Sequence, residues 1–140
     1  MKEIQGGVTA PKGFQAASCA AGIKYKERQD MALIYSEIPC RSAGTFTTNL
    51  VKAAPVKWDQ NQVSSGHEAQ AIVVNAGIAN ACTGAEGMEY CRQTALAAGE
   101  ALKIPAESVL VASTGVIGMQ LPIDRIAAGV KKMASSLSSS

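Results

Sequence analysis

Two short stretches of the chain gather residue types that could act on a polar substrate. The first is SVLVASTGVIG, residues 108–118. Its apolar run delivers two hydroxyls, Ser113 and Thr114, and then Gly115, whose N–H no side chain shields. An oxyanion hole has this composition: a strand fixes the donors, and glycine lets the backbone turn its N–H toward a developing negative charge. One such donor is worth about 3–4 kcal/mol of transition-state stabilisation in well-studied hydrolases. A plain strand-to-helix turn capped by Ser or Thr uses the same residues and performs no chemistry. The residues alone favour that simpler turn.

The second stretch is NAGIANACTG, residues 75–84. Asn75 and Asn80, interspersed with Gly77 and Gly84, follow an apolar run, and the carboxyl end of a strand suits ligand binding in α/β sheets. The bland reading has the asparagines satisfying loop backbone and the glycines accepting positive φ. Neither GxGxxG nor GxxxxGK[ST] occurs, so no phosphate-binding fingerprint is present. Cys82 beside Thr83 has no evident activating base, and His67 lies in the polar run SSGHEAQ as a surface residue. Asp30, Glu37, Asp59, Glu86 and Asp124 are too scattered for metal-ligand spacing, and a single histidine rules out a His-rich metal site. Cys19, Cys40, Cys82 and Cys91 form no CxxC pair and read as free thiols packing as small hydrophobes. The chain thus offers an electrostatic stabiliser and no nucleophile, and no cofactor or metal is expected.

The elements that must position these residues follow from periodicity. Residues 1–28 read as edge strands and turns, including the alternating stretches 14–16 and 21–25. Lys24, Lys26, Glu27, Arg28 and Asp30 form a solvated charged turn. MALIYSEI, residues 31–38, predicts a buried strand stopped by Pro39, and residues 43–47 a second strand. Pro55 suits the first turn of a helix over 55–65 that Gly66 ends. AQAIVVN, residues 69–75, is a continuous apolar strand needing cover on both faces. Thr83 and Glu86 have capping-box spacing before a helix whose apolar stripe is Met88, Cys91, Ala95, Ala98 and Leu102, closed by Pro105. Residues 108–113 are the second clear buried strand. Pro122 opens a last helix with Ile123, Ile126, Ala127, Val130, Met133, Ala134 and Leu137 on one face. Strand, helix, strand, helix gives an α/β class, and no internal boundary divides residues 1–140. The polar end behind a helix that still needs covering reads as a cut-off chain.

Composition narrows the function classes. Apolar residues make up 47% of 140, enough for a packed core, but aromatics are only 4%, so small side chains must fill it. Thirteen Lys and Arg against eleven Asp and Glu leave a net charge of +2, too weak and scattered for a nucleic-acid footprint. No apolar run approaches the ~20 residues that span a bilayer. The N-terminus shows no signal or transit character, so the cytoplasm is the expected compartment.

Five ordered motifs then converge on a family. GGVTAPKGFQAA, GIKYKERQDMALIYSE, FTTNLVKAAPV, NAGIANACTG and VLVASTGVIGMQLP, running from Gly6 to Pro122, resemble the ornithine acetyltransferase (glutamate N-acetyltransferase) family of arginine biosynthesis. The resemblance implies a precursor that cuts itself before an internal Thr, freeing a β chain whose N-terminal Thr is the nucleophile. It implies ping-pong transfer of acetyl from N2-acetylornithine to L-glutamate, with acetyl-CoA left open as a further donor. The family's Thr-Gly oxyanion pair falls on Thr114 and Gly115, which turns the reading of that segment from plain turn to hole. Only the front part of an α chain is matched, so substrate-binding residues stay unassigned and this chain alone is expected to be inactive. The implied fold is a layered α/β sheet-and-helix sandwich completed by the β chain, in an α2β2 heterotetramer. Two alternatives stand beside it: a related self-cleaving amidase or aminopeptidase, and a non-catalytic ligand-binding α/β module in which residues 75–84 hold a small molecule.

Overall fold

A computed structural model describes residues 5–139. Four strands form one mixed sheet in chain order: β1 (Phe14–Cys19), β2 (Met31–Cys40), β3 (Ala69–Asn75) and β4 (Val109–Ser113). The first two junctions are antiparallel and the β3–β4 junction is parallel. Three helices accompany it: α1 (Ala54–Ser64) between β2 and β3, α2 (Glu86–Leu102) between β3 and β4, and α3 (Ile123–Ala134) after β4. A parallel pair needs a crossover, and α2 supplies it. None of these helices is long and apolar enough to cross a membrane.

Register shows which side chains share a face. Val73 pairs with Leu33 and Val111, and Ala71 with Tyr35 and Val109, so these point to one side of the sheet. On that side Leu33, Val73 and Val109 are fully buried in one cluster with Ala95 and Ala98 of α2 and Ile126, Val130 and Met133 of α3. The facing surfaces are mostly Ala, Val and Cys, which lets backbones approach and explains how a core forms with so few aromatics. Contrary to the expectation of cover on both faces, the other side stays half-buried. Ala16, Ala32, Ile34, Ile72, Val74, Leu110 and Ala112 lie there.

Helix α1 covers the free edge of β4. The Trp58 indole N–H donates to the Val109 carbonyl at 2.9 Å, and the Asp59 carboxylate accepts the Val111 N–H at 2.9 Å. These are the backbone groups that β4 turns away from β3, and an uncovered edge would leave them open to another chain.

The structure corrects four local expectations. Residues 43–47 form no strand: the ring of Phe46 folds back over Gly44, 2.8 Å from where a Cβ would sit. β2 is not stopped by Pro39 but runs on to Cys40 through a register shift after Tyr35, an irregularity that tolerates a residue with no N–H to donate. Residues 21–25 form a loop, tied down because the buried Asp30 carboxylate accepts the N–H groups of Ala21 and Ile23, each at 2.7 Å. Asp30 is therefore a structural acceptor, while Lys24, Lys26, Glu27 and Arg28 are solvated as expected. Thr83 does not cap α2. Ala85 holds the cap position without a side-chain bond, and the Thr83 hydroxyl donates to Asn80 Oδ1 at 2.7 Å instead.

Candidate functional site

β3 and β4 are parallel neighbours, so their carboxyl ends emerge together, with Asn75 opposite Ser113. The two segments singled out in the sequence leave from this shared edge and zip against each other. The Thr114 N–H donates to the Asn75 carbonyl at 3.0 Å, and the Val116 N–H to the Gly77 carbonyl at 3.1 Å. The Gly118 N–H donates to the Ala81 carbonyl at 2.9 Å in the same sense, and in the opposite sense the Ala79 N–H donates to the Val116 carbonyl at 2.9 Å. Ile78 and Val116 form a parallel bridge beyond the sheet proper.

Gly115 sits in the middle of this zipper with φ +132°, a conformation that favours glycine. A Cβ at this position would overlap the Gly77 carbonyl. Both neighbours, Thr114 and Val116, commit their N–H groups to the other loop. Among the hydrogen bonds of the described residues, none uses the Gly115 N–H or the Thr114 hydroxyl. Both residues are exposed. Two donors, one backbone and one hydroxyl, are thus presented to solvent from an over-determined turn at the end of a buried strand. Such an arrangement can stabilise an oxyanion, since preorganised donors do not have to reorganise when charge appears.

The second segment has a different fate. Asn75 and Asn80 are buried, and their Nδ2 groups donate inside the protein. Asn75 Nδ2 donates to the Ile78 carbonyl at 2.8 Å, while Asn80 Nδ2 donates to the Gly87 carbonyl at 2.8 Å and contacts Cys91 Sγ at 3.3 Å. Asn80 is committed at both ends of its amide, since its Oδ1 accepts from Thr83. Residues 75–81 instead act as the wall against which the Thr114–Gly115 turn is built. Sequence reasoning missed Ser113 as a tie in this wall: its Oγ accepts the Asn80 N–H at 2.8 Å and donates to the Ile78 carbonyl at 3.4 Å. Only the parallel register that places Ser113 beside Asn75 reveals it.

Among the described residues no hydrogen bond joins a thiol to a basic side chain. Cys91 is buried between α2 and β4, and burial, reinforced by the nearby Asp59 charge, pushes its thiol up to about 12, the range of an inert thiol. Burial also raises the Cys19 thiol. Cys40 donates to Ser36 Oγ at 3.2 Å. Cys82 is exposed at φ +55° and faces a cavity of ≈ 430 Å³ shared with Lys52, Lys57 and Met88. His67 is exposed and pairs through Nδ1 with Gln62 Oε1 at 2.8 Å. Among the described residues no three His, Cys, Asp or Glu side chains gather as metal ligands.

Comparison with known proteins places this geometry in context. The model of the ArgJ family matches residues 15–140. The chain is 51% identical to the arginine biosynthesis bifunctional protein ArgJ of Symbiobacterium thermophilum, over 99% of this chain and 35% of that protein. It is 54% identical to the protein of the same name from Gloeobacter violaceus, over 88% of this chain and 30% of that one. The chain thus spans about a third of the length of these relatives. Among solved structures, ornithine acetyltransferase of Mycobacterium tuberculosis, determined with ornithine bound, superposes with a TM-score of 0.91 at 44% identity, covering 96% of this chain and 72% of that one. The ArgJ protein of Bacillus halodurans superposes with a TM-score of 0.85 at 42% identity, covering 91% and 66%. The α/β fold with its mixed sheet is the one those structures share with this chain.

Proposed function

The chain belongs to the ArgJ family, and from that premise we propose that it supplies the oxyanion hole of an acetyl-transferring enzyme of arginine biosynthesis. The observation that carries the reading is the exposed pair of uncommitted donors, the Thr114 hydroxyl and the Gly115 N–H, held by the zipped loops. The nucleophile lies outside this chain, as the N-terminal Thr of a β chain cut from the same precursor. Its hydroxyl oxygen attacks the acetyl carbonyl of N2-acetylornithine while its own α-amino group takes the proton. The carbonyl oxygen becomes an oxyanion and is held by Thr114 and Gly115. The C–N bond then breaks, the proton passes to the departing ornithine amine, and an acetyl ester remains on the Thr. The L-glutamate amine attacks that ester through a second oxyanion at the same donors, releasing N-acetylglutamate and the free Thr hydroxyl. Two such precursors assembling as an α2β2 heterotetramer in the cytoplasm complete the proposal.

The test uses the complete protein. Intact mass under denaturing conditions, with N-terminal sequencing of every polypeptide, is expected to find two chains, one of them beginning with Thr. The purified material should convert N2-acetylornithine to ornithine only as fast as glutamate is acetylated. A single uncut polypeptide with no transfer would sink the reading. Hydrolysis that ignores glutamate would replace it with an amidase.

A further inference from the structure

We propose that Ser113 is a positioning residue for this reaction, aligning the Thr114 and Gly115 donors through the loop opposite them; the inference rests on the function proposed above. An oxyanion hole works only while its donors point at the site of developing charge, yet nothing within 114–115 fixes Gly115. Its N–H is uncommitted and its φ of +132° is set from outside. The hold comes from the flanking bonds, Thr114 N–H to Asn75 and Val116 N–H to Gly77, so Gly115 is placed only as well as residues 75–79 are placed.

Beside the backbone pairing of Asn75 with Ser113, the loop is tied to β4 by the Ser113 side chain. The Ser113 hydroxyl accepts the Asn80 N–H at 2.8 Å and donates to the Ile78 carbonyl at 3.4 Å, the same carbonyl that Asn75 Nδ2 reaches at 2.8 Å. Ser113 directly precedes Thr114, so its hydroxyl adds a side-chain tie, beside the backbone bonds, between the strand that carries the donors and the loop that aims them. Its two bonds are spent on that coupling, which makes it a positioning residue and not a catalytic one. A misplacement of about 1 Å at a reacting centre can cost ~100-fold in rate, so small shifts of the loop should register in turnover.

The complete, processed protein carries the test. Ser113→Ala leaves the Asn80 N–H without its acceptor, and kcat is expected to fall about tenfold or more with KM within about twofold of the parent, because the donors meet charge that exists only in the transition state. Ser113→Thr restores the hydroxyl and is expected to recover most of the turnover, whereas Ser113→Val, equal to it in shape, is not. That pair separates alignment from packing even where the alanine variant folds poorly. On a Thr114→Ala background the loss caused by Ser113→Ala should shrink, since one of the donors it aligns is already gone. Equal turnover by the Thr and Val variants, or full turnover by Ser113→Ala beside an impaired Thr114→Ala, overturns the positioning role alone. Full turnover by Thr114→Ala overturns the oxyanion reading and this inference with it.

Discussion

At the scale of single residues, Thr114 and Gly115 should respond to substitution in opposite ways. The Thr114 side chain is exposed and no hydrogen bond of the described residues uses its hydroxyl, so the folded chain does not depend on it. Thr114→Ala in the complete protein is therefore expected to lower kcat by ~10²- to 10³-fold, the cost of one lost oxyanion donor, while the thermal midpoint stays put. Thr114→Ser should retain most activity. Gly115→Ala combines a φ of +132° with a Cβ that overlaps the Gly77 carbonyl, so turnover and stability should fall together. Kinetics and thermal melts on the three variants check this, and a fully active Thr114→Ala would remove the residue from the mechanism. The Ser-Thr-Gly triplet was visible in the sequence as either a hole or a turn, because both need the same residue types. What the register adds is that Thr114 and Val116 commit their N–H groups to the facing loop while the Gly115 N–H between them stays uncommitted.

At the scale of elements, local periodicity was a good guide where packing followed it. Residues 69–75 form β3 with the bounds read from their apolar run, and Pro55 opens α1 while Ile126, Val130 and Met133 line the buried side of α3. It failed where a contact distant in sequence decided the outcome, as when Asn80 took the Thr83 hydroxyl that had capping-box spacing. The edge role of α1 was likewise invisible, since Asp59 meets Val111 from 52 positions away. That contact has a pH consequence. Burial holds the Asp59 carboxyl up at about 6 against an ordinary 3.8, with the Val111 bond opposing the rise. Between those values the folded chain keeps a proton that the unfolded chain has lost, so this group's contribution falls as pH rises from about 4 to 6 and stays unfavourable above. Asp59→Asn can still accept the Val111 N–H and buries no charge. It is expected to be more stable than the parent at pH 7, by about 1 kcal/mol once the part exposure of the group is discounted, with the gap closing by pH 4. Denaturant melts of both proteins across that range read the difference directly. A constant gap, or a parent that is the more stable at pH 7, would mean the carboxylate's bond to β4 outweighs its desolvation.

For the whole molecule, the decisive feature is the sheet face that the three helices leave open. Ile34, Ile72, Val74 and Leu110 stand on it with the alanines at 16, 32 and 112, and a shallow cavity of ≈ 240 Å³ there is bordered by Phe14, Ile34, Ile72 and Leu110. Ile38, on the same strand β2, is also exposed, at 68% accessibility. Contiguous apolar patches of this kind mark interfaces in stable proteins. Relatives of this chain are about three times its length, and the prediction is that the remainder of such a protein covers this face. Residues 1–140 produced alone should accordingly self-associate and bind a hydrophobic dye, whereas co-production with the remainder should yield dispersed, dye-silent protein. Ile34→Thr with Ile72→Thr should reduce dye binding by the isolated chain, since both residues keep β propensity while the face loses apolar surface. In the complete protein the same pair should destabilise, because there it would place two hydroxyls in a buried interface. Sedimentation and dye fluorescence settle the matter: a monodisperse, dye-silent isolated chain, together with a complete protein indifferent to both substitutions, would show that this face is made for solvent.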